Sequence, residues 1–217
     1  MRRPPYSLKL VTPPTTEPVL LQDAKDWMRV SDSSQDGVII SLISAARWEA
    51  EKYTRRSFIA TQWKQQQDTF PPTGLGQVNM ERLQFWSYNN AGEVVFPRSP
   101  LITVDTVAYQ DANGSTVTMT AGTDYVVDLN PDHGRIFLPF GRIWPITYPQ
   151  QNAVSLTFTA GYGANAAAVP EGIKTVIKMT VAHWFENREP VLTTGAVPQV
   201  LPFHLQALLW GYRVLDW

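Results

Sequence analysis

Between residues 35 and 58 apolar side chains recur at a helical interval. Wound at about 3.6 residues per turn, Ile39, Leu42, Ile43, Ala46, Ala50 and Tyr53 fall on one narrow stripe, the i, i+3, i+4, i+7 pattern of a packed helix. Ser33 or Ser34 stands where it can cap the start, and Asp36 faces the positive helix end. Arg55 and Arg56 occupy the last turn, where cations suit the dipole. Trp48 lies opposite the stripe, beside Ser44, Glu51, Lys52 and Arg55. A large aromatic in that position needs a cover, from elsewhere in this chain or from another chain.

The same pattern predicts three further helices. Residues 19–30 read as a short one, with Leu20, Leu21, Ala24, Trp27 and Met28 apolar. Residues 170–188 open on Pro170, which suits a first helical turn. Their apolar stripe is Ile173, Val176, Ile177, Thr180, Val181 and Trp184. Residues 202–210 form a last short helix after a proline- and glycine-broken loop at 191–200. The 39–53 stripe needs an apolar partner, and the 173–184 stripe is the best one available.

Between the helices the period changes to two. Residues 61–70, 83–88, 94–96, 101–110, 117–119, 125–129, 135–138 and 153–159 read as strands. The first alternates around Trp63 and is rich in Gln, which suits an edge or solvent-facing strand. Asn113-Gly114, inside residues 111–114, marks a hairpin, and 132–134 a second tight turn. With no helix among them, these strands predict an antiparallel sandwich or barrel. The fold class is therefore α+β: a small bundle of two N-terminal and two C-terminal helices with an inserted β domain. Residues 1–60 supply an arm and the first helices, 61–165 the insertion, and 166–217 the last helices and a tail. The arm carries Pro4, Pro5, Pro13, Pro14 and Pro18 and is expected to be extended and weakly ordered until something holds it.

Composition sharpens this picture. Of 217 residues, 44% are hydrophobic, enough for a substantial core, yet only 17% are charged, below the roughly 25% usual for soluble proteins. Aromatics reach 12%, with eight Trp. That balance suits surfaces buried against partners, or a neutral aromatic β core. A net charge of −1 gives no overall field toward nucleic acid. The chain has no cysteine, hence no thiolate metal site, and no apolar run near membrane-spanning length. It reads as an intracellular, soluble chain.

Candidate chemistry is sparse. Gly161-Tyr162-Gly163 lacks the residues of a phosphate loop. His183 and Glu186 share a helix face, but a metal needs three or four ligands. Asp124, Asp128, Asp132 and His133 sit where turn acids belong. The expectation is no catalytic set, no metal and no cofactor. Arg47, Lys52, Arg55, Arg56 and Lys64, interrupted by Glu49 and Glu51, read either as a solvated face with local ion pairs or as a contact with a neighbouring chain or passing DNA.

Several segments in order carry a resemblance. They are Leu8-Lys9-Leu10-Val11-Thr12-Pro13-Pro14 with Glu17-Pro18-Val19, then Ala24-Lys25 and Met28-Arg29-Val30. Leu42-Ile43, Ala45-Ala46-Arg47, Glu51, Tyr53-Thr54, Arg56 and Gln62-Trp63 follow. Further on come Phe158-Thr159-Ala160-Gly161-Tyr162-Gly163, Val169-Pro170, the run Ala182-His183-Trp184-Phe185-Glu186-Asn187-Arg188-Glu189, Leu208-Leu209 and Tyr212-Arg213-Val214. Together they resemble the head–tail connector (adaptor) proteins of long-tailed phages and prophages, almost end to end. Leu20 stands where a capping Thr or Ser is common in that family. Arg55 stands where a Gly is common, which would extend the long helix by a turn.

The resemblance implies a structural protein of the virion neck, assembled in the host cytoplasm, and not an enzyme. Such proteins form a ring, usually of twelve copies, below the portal protein. The ring extends the DNA channel without sequence specificity, presents a surface to the next neck, stopper or tail protein, and touches no membrane. Side-to-side contacts then fall to Trp48, Lys52, Arg55, Arg56, Glu186 and Arg188. Portal docking falls to the apolar C-terminal end, with Phe203, Leu208, Leu209, Trp210, Tyr212, Arg213 and Trp217. Deleting residues 211–217 is expected to leave a folded protein that no longer docks. The competing reading is a glycan- or peptide-binding β module on a helical scaffold, with Phe85, Trp86, Tyr88, Trp144 and Tyr148 lining a groove.

Overall fold

The computed structural model describes residues 6–71, 92–130, 132–187 and 203–215, the last stretch with side chains from Gln206 onward. The predicted strand at 83–88 and the loop at 191–200 lie outside these residues. The described chain is α+β. It runs β1 (Tyr6–Thr12), α1 (Leu21–Met28), α2 (Asp36–Thr54), β2 (Thr61–Gln67), β3 (Val94–Val95), β4 (Leu101–Gln110), β5 (Thr116–Met119), β6 (Val126–Asp128), β7 (Arg135–Phe137), β8 (Val154–Ala160), a 3-10 turn (Ala166–Ala168), α3 (Glu171–Glu186) and α4 (Phe203–Trp210). It divides into two compact units. One holds Thr61–Gly161 with the described parts of 1–13 and 215–217; the other holds Pro14–Ala60 and Tyr162–Val214.

In the helical unit the two predicted stripes close on one another. Ile39, Ile43, Ala46 and Ala50 of α2 share a buried cluster with Ile173, Val176, Ile177 and Val181 of α3. Ala24 of α1, Phe58 and Ile59 after α2, and Leu209 of α4 complete it. Full burial of each Ile or Leu here contributes about 1.5–3 kcal/mol. Two cap expectations are corrected. Gln35, not Ser33 or Ser34, precedes α2, and no side chain caps it; Ser34 bonds Asp32 instead. Arg55 does not prolong α2. It turns left-handed (φ 59°, ψ 25°) and ends the helix at Thr54, as a glycine would. The Thr54 carbonyl, left open by that turn, accepts the Val214 N–H at 3.0 Å. Leu20 precedes α1 without a side-chain cap.

The β unit is a sandwich rather than a closed barrel. A five-stranded antiparallel sheet, ordered β1-β2-β8-β4-β5, shares its core with a three-stranded sheet, β3-β7-β6. Trp63, Leu101, Val107, Leu156 and Phe158 from the first sheet meet Val94, Phe96 and Ile136 from the second. The Asn-Gly hairpin joins β4 to β5, where Asp111 Oδ1 accepts the N–H groups of Asn113 and Ser115, and Gly114 takes φ 81°. One strand expectation is overturned. β2 is not an edge; it lies between β1 and β8. Its other side is covered by the N-terminal arm, which pairs Tyr6 with Gln67 through Thr12 with Gln62. Gln65 and Gln67 therefore point into the core, where Gln65 Nε2 reaches Gln67 Oε1 at 3.4 Å.

Gly134 gives a direct check on the sandwich. It is buried, and a Cβ there would overlap the Leu101 side chain. Gly134→Ala is expected to destabilise by about 2 kcal/mol through overpacking, lowering the melting temperature by roughly 5 °C. An unchanged thermal melt would mean that the two sheets do not pack this closely.

Candidate functional site

Elements of the helical unit present most of the predicted contact residues. Helix α2 buries one side and leaves Val38, Ser41, Ala45, Trp48 and Lys52 exposed on the other, with Trp48 at 46%. The indole is about half exposed, so truncating it forfeits less internal packing than losing a core side chain. The Lys52 side chain is 69% exposed, and its 3.8 Å approach to Glu49 holds little energy. Glu186 is exposed at the end of α3. Arg188 lies outside the described residues. Arg56 Nε donates to the Tyr212 carbonyl at 2.6 Å, and Arg55, spent on the left-handed turn, is also engaged within the chain. These two arginines thus hold the end of α2 as well as facing outward in part.

One pair in the basic stretch departs from a solvated face, while Lys52 stays exposed. Arg47 and Glu51 are buried. Arg47 Nη1 donates to Glu51 Oε2 at 2.8 Å and its Nε to Glu17 Oε2 at 2.7 Å, while Glu51 Oε1 accepts the Phe58 N–H at 2.7 Å. This network ties the segment before α1 to α2 and to the turn that follows it. Its one sequence signal was the i, i+4 spacing of Arg47 and Glu51 beside the apolar stripe.

The C-terminal end divides into inward and outward residues. Leu209 is fully buried in the helical core and is withdrawn as a docking side chain. Leu208 and Trp210 flank it at 52% and 57% exposure. Beyond α4, Val214 is buried, and the Arg213 guanidinium lies 5.4 Å from the ring centres of both Tyr53 and Trp210. Tyr212 packs on Gly172, where any side chain would strike its ring. Residues 211–214 are therefore part of the helical unit, and the expectation that deleting them spares the fold is corrected. The Phe203 side chain and Trp217 lie outside the described part.

The remaining candidates resolve into structural roles. His183 accepts the Asn187 N–H at its carbonyl, closing α3. Asp128 accepts the Asn130 N–H and pairs with Arg135, which also meets Glu93 at 3.1 Å. The Asn130 N–H, followed by Arg135, holds the Asp128 carboxyl below its usual range. Asp124 accepts the Thr120 N–H in a turn. Among the described residues no group of three or more His, Cys, Asp or Glu gathers as a metal site, and no helix is long and apolar enough to cross a membrane. Of the imagined aromatic groove, Phe85, Trp86 and Tyr88 lie outside the described residues. Trp144 is buried, stacked on Phe70 at 4.5 Å, and not available to a ligand. Sequence reasoning missed the exposed apolar side chains around it, Phe140, Ile143 and Ile146, because a run without period looks like any other core segment.

Residues 18–120 match the family model of phage gp6-like head-tail connector proteins. No curated protein matches the sequence. Three solved structures are similar nearly end to end. A chain in the neck of an empty gene transfer agent (GTA) particle computed with C6 symmetry gives a TM-score of 0.70 at 20% identity, over 97% of this chain and 96% of that one. A chain in the virion of a native GTA particle gives 0.68 at 21% identity, over 96% of each. A third, in the neck of a native GTA particle computed with C12 symmetry, gives 0.64 at 19% identity, over 97% and 96%. The solved chains share the fold nearly end to end, and the family match spans α1, α2 and β2 through β5. Residues 18–120, just under half of the chain, are thus similar to the phage gp6-like head-tail connector family, and nearly the whole chain shares the fold of the GTA chains.

Proposed function

We propose that this chain is a structural protein of the virion neck. It acts as an adaptor that binds below the portal as a ring, extends the DNA channel and joins the capsid to the next neck or tail protein. The observation that carries the reading is the connector family match over residues 18–120. The fold of chains from necks computed with C6 and C12 symmetry supports it. So do the large side chains left about half exposed on the helical unit, Trp48, Leu208 and Trp210, since aromatic anchors such as the two tryptophans carry much of an interface's energy. Twelve copies, the portal as upper partner and DNA passing without sequence specificity are parts of the same proposal. The role is positional and needs no chemistry.

In this reading Trp48 is a side-to-side contact. Trp48→Ala is expected to leave the melting temperature within about 2 °C, as exposed substitutions do, while lowering ring formation at least tenfold by mass photometry or in assembled particles. A melting temperature lowered by many degrees would place Trp48 in the chain's own core. Unchanged rings would remove it from the contact. Imaging of purified particles tests the whole proposal: the chain's density belongs at the capsid–tail junction, and its absence there would overturn the connector reading.

A further inference from the structure

We infer that the loop at residues 139–148 of the β unit is a second contact between copies of this chain, its apolar tip seated on the Leu10–Val11 edge of the next copy. This rests on the ring reading above and gives the β unit a role within it.

The loop is bare and yet fixed. Phe140 is fully exposed, Ile143 77% and Ile146 83% exposed. Between them Trp144 is buried, stacked on Phe70 at 6° between ring planes, and its Nε1 donates to the Gly92 carbonyl at 2.8 Å. The Tyr148 N–H donates to the Gln110 carbonyl at 2.9 Å. The Arg142 N–H donates to the Pro139 carbonyl at 3.1 Å, closing a turn in which Gly141 takes φ 77°, the conformation that favours glycine at the third turn position. Pro139, Pro145 and Pro149 stiffen the rest. A loop ordered in this way loses little freedom on docking, and three large apolar side chains held in water mark a contact surface.

The occupant follows from what the same unit offers elsewhere. A head-to-tail contact between identical chains needs two different, complementary patches. Strand β1 is an edge of the five-stranded sheet, with Leu10 and Val11 exposed at 38% and 47%. Beside them Thr12 bonds Gln62, and Gln62 bonds Asp105. Asp105 is exposed and has no cation partner among the described residues; Arg142 is the loop's one charge and has no carboxylate partner among them. Apolar tip thus matches apolar edge, and a lone cation matches a lone anion. The patches also lie at opposite ends of the sheet. The loop sits where β2 and β4 finish, against Phe70 and Gln110, whereas Leu10 pairs with Trp63 near the start of β2. One copy cannot satisfy both patches itself, and a cyclic row of copies does.

The chain has no cysteine, so paired cysteines report this contact cleanly. In particles assembled with an Ile143→Cys/Val11→Cys chain, a short bismaleimide is expected to give a ladder of joined copies on a denaturing gel. Either single variant gives none. Arg142→Asp or Asp105→Arg, added alone, should weaken the ladder at least fivefold, and the two together should restore it. Cross-linking of the Ile143→Cys thiol to a different protein, or a ring seen in the neck with no ladder, overturns the inference and leaves the connector reading intact. A neck without a ring of this chain overturns both.

Discussion

Glu51→Ala is expected to lower the melting temperature by about 10 °C, a loss of roughly 3–5 kcal/mol. The carboxylate serves two buried donors at once, the Arg47 guanidinium and the Phe58 N–H. Alanine leaves Arg47 Nη1 and the Phe58 N–H without their acceptor in a buried site, with Glu17 still holding the guanidinium, and unsatisfied buried donors cost far more than the bonds contribute. Glu51→Gln keeps an acceptor for Phe58 and should lose less. Arg47→Met with Glu51→Leu removes the charges together and should recover part of the loss, since an apolar pair of similar volume is often neutral. Thermal melts of these variants beside the parent chain decide the matter. If Glu51→Ala melts with the parent chain, Glu51 is solvated and the network does not hold the turn after α2.

The second large effect is on assembly rather than stability. Leu208→Ala/Trp210→Ala is expected to cut the yield of complete particles at least tenfold while shifting the melting temperature by only a few degrees. Both side chains are about half exposed on either side of the buried Leu209, so they add little to the core of their own unit. At the centre of an interface an aromatic anchor contributes about 2 kcal/mol or more, and a closed ring repeats any weakness in every copy. Leu209→Ala is the contrasting variant: it should cost about 2–5 kcal/mol of fold stability by leaving a cavity. Truncation at residue 211 would confuse the two effects, because Val214 and the Thr54–Val214 bond belong to the helical unit. Wild-type particle yields from the double variant would take docking away from α4.

Much of the site could be read along the chain. Trp48 stands off the apolar stripe of its helix, and the apolar C-terminal run includes Leu208 and Trp210; each of the three is about half exposed. Arg47 and Glu51 could not be read, because their burial depends on Glu17 and Phe58 arriving from before and after the helix. The 139–148 loop was hidden for the opposite reason. Phe140, Ile143, Trp144 and Ile146 look alike in sequence, and only the stacking of Trp144 on Phe70 separates the anchor from the exposed tip.

Periodicity is a property of one element, and it settled what depends on one element. The helices at 39–53 and 173–184, the run of strands between them and the Asn-Gly hairpin all follow from local spacing. Residue types also settled the sparse charge and the missing cysteine. Tertiary structure decided the rest: β2 flanked on both sides in its sheet, Arg55 turned left-handed under the Val214 N–H, Leu209 turned inward and an ion pair buried. Each of those depends on a partner distant in the chain, from Glu17 with Arg47 to Thr54 with Val214. A pattern read along the backbone carries no information about which distant segment will arrive beside it.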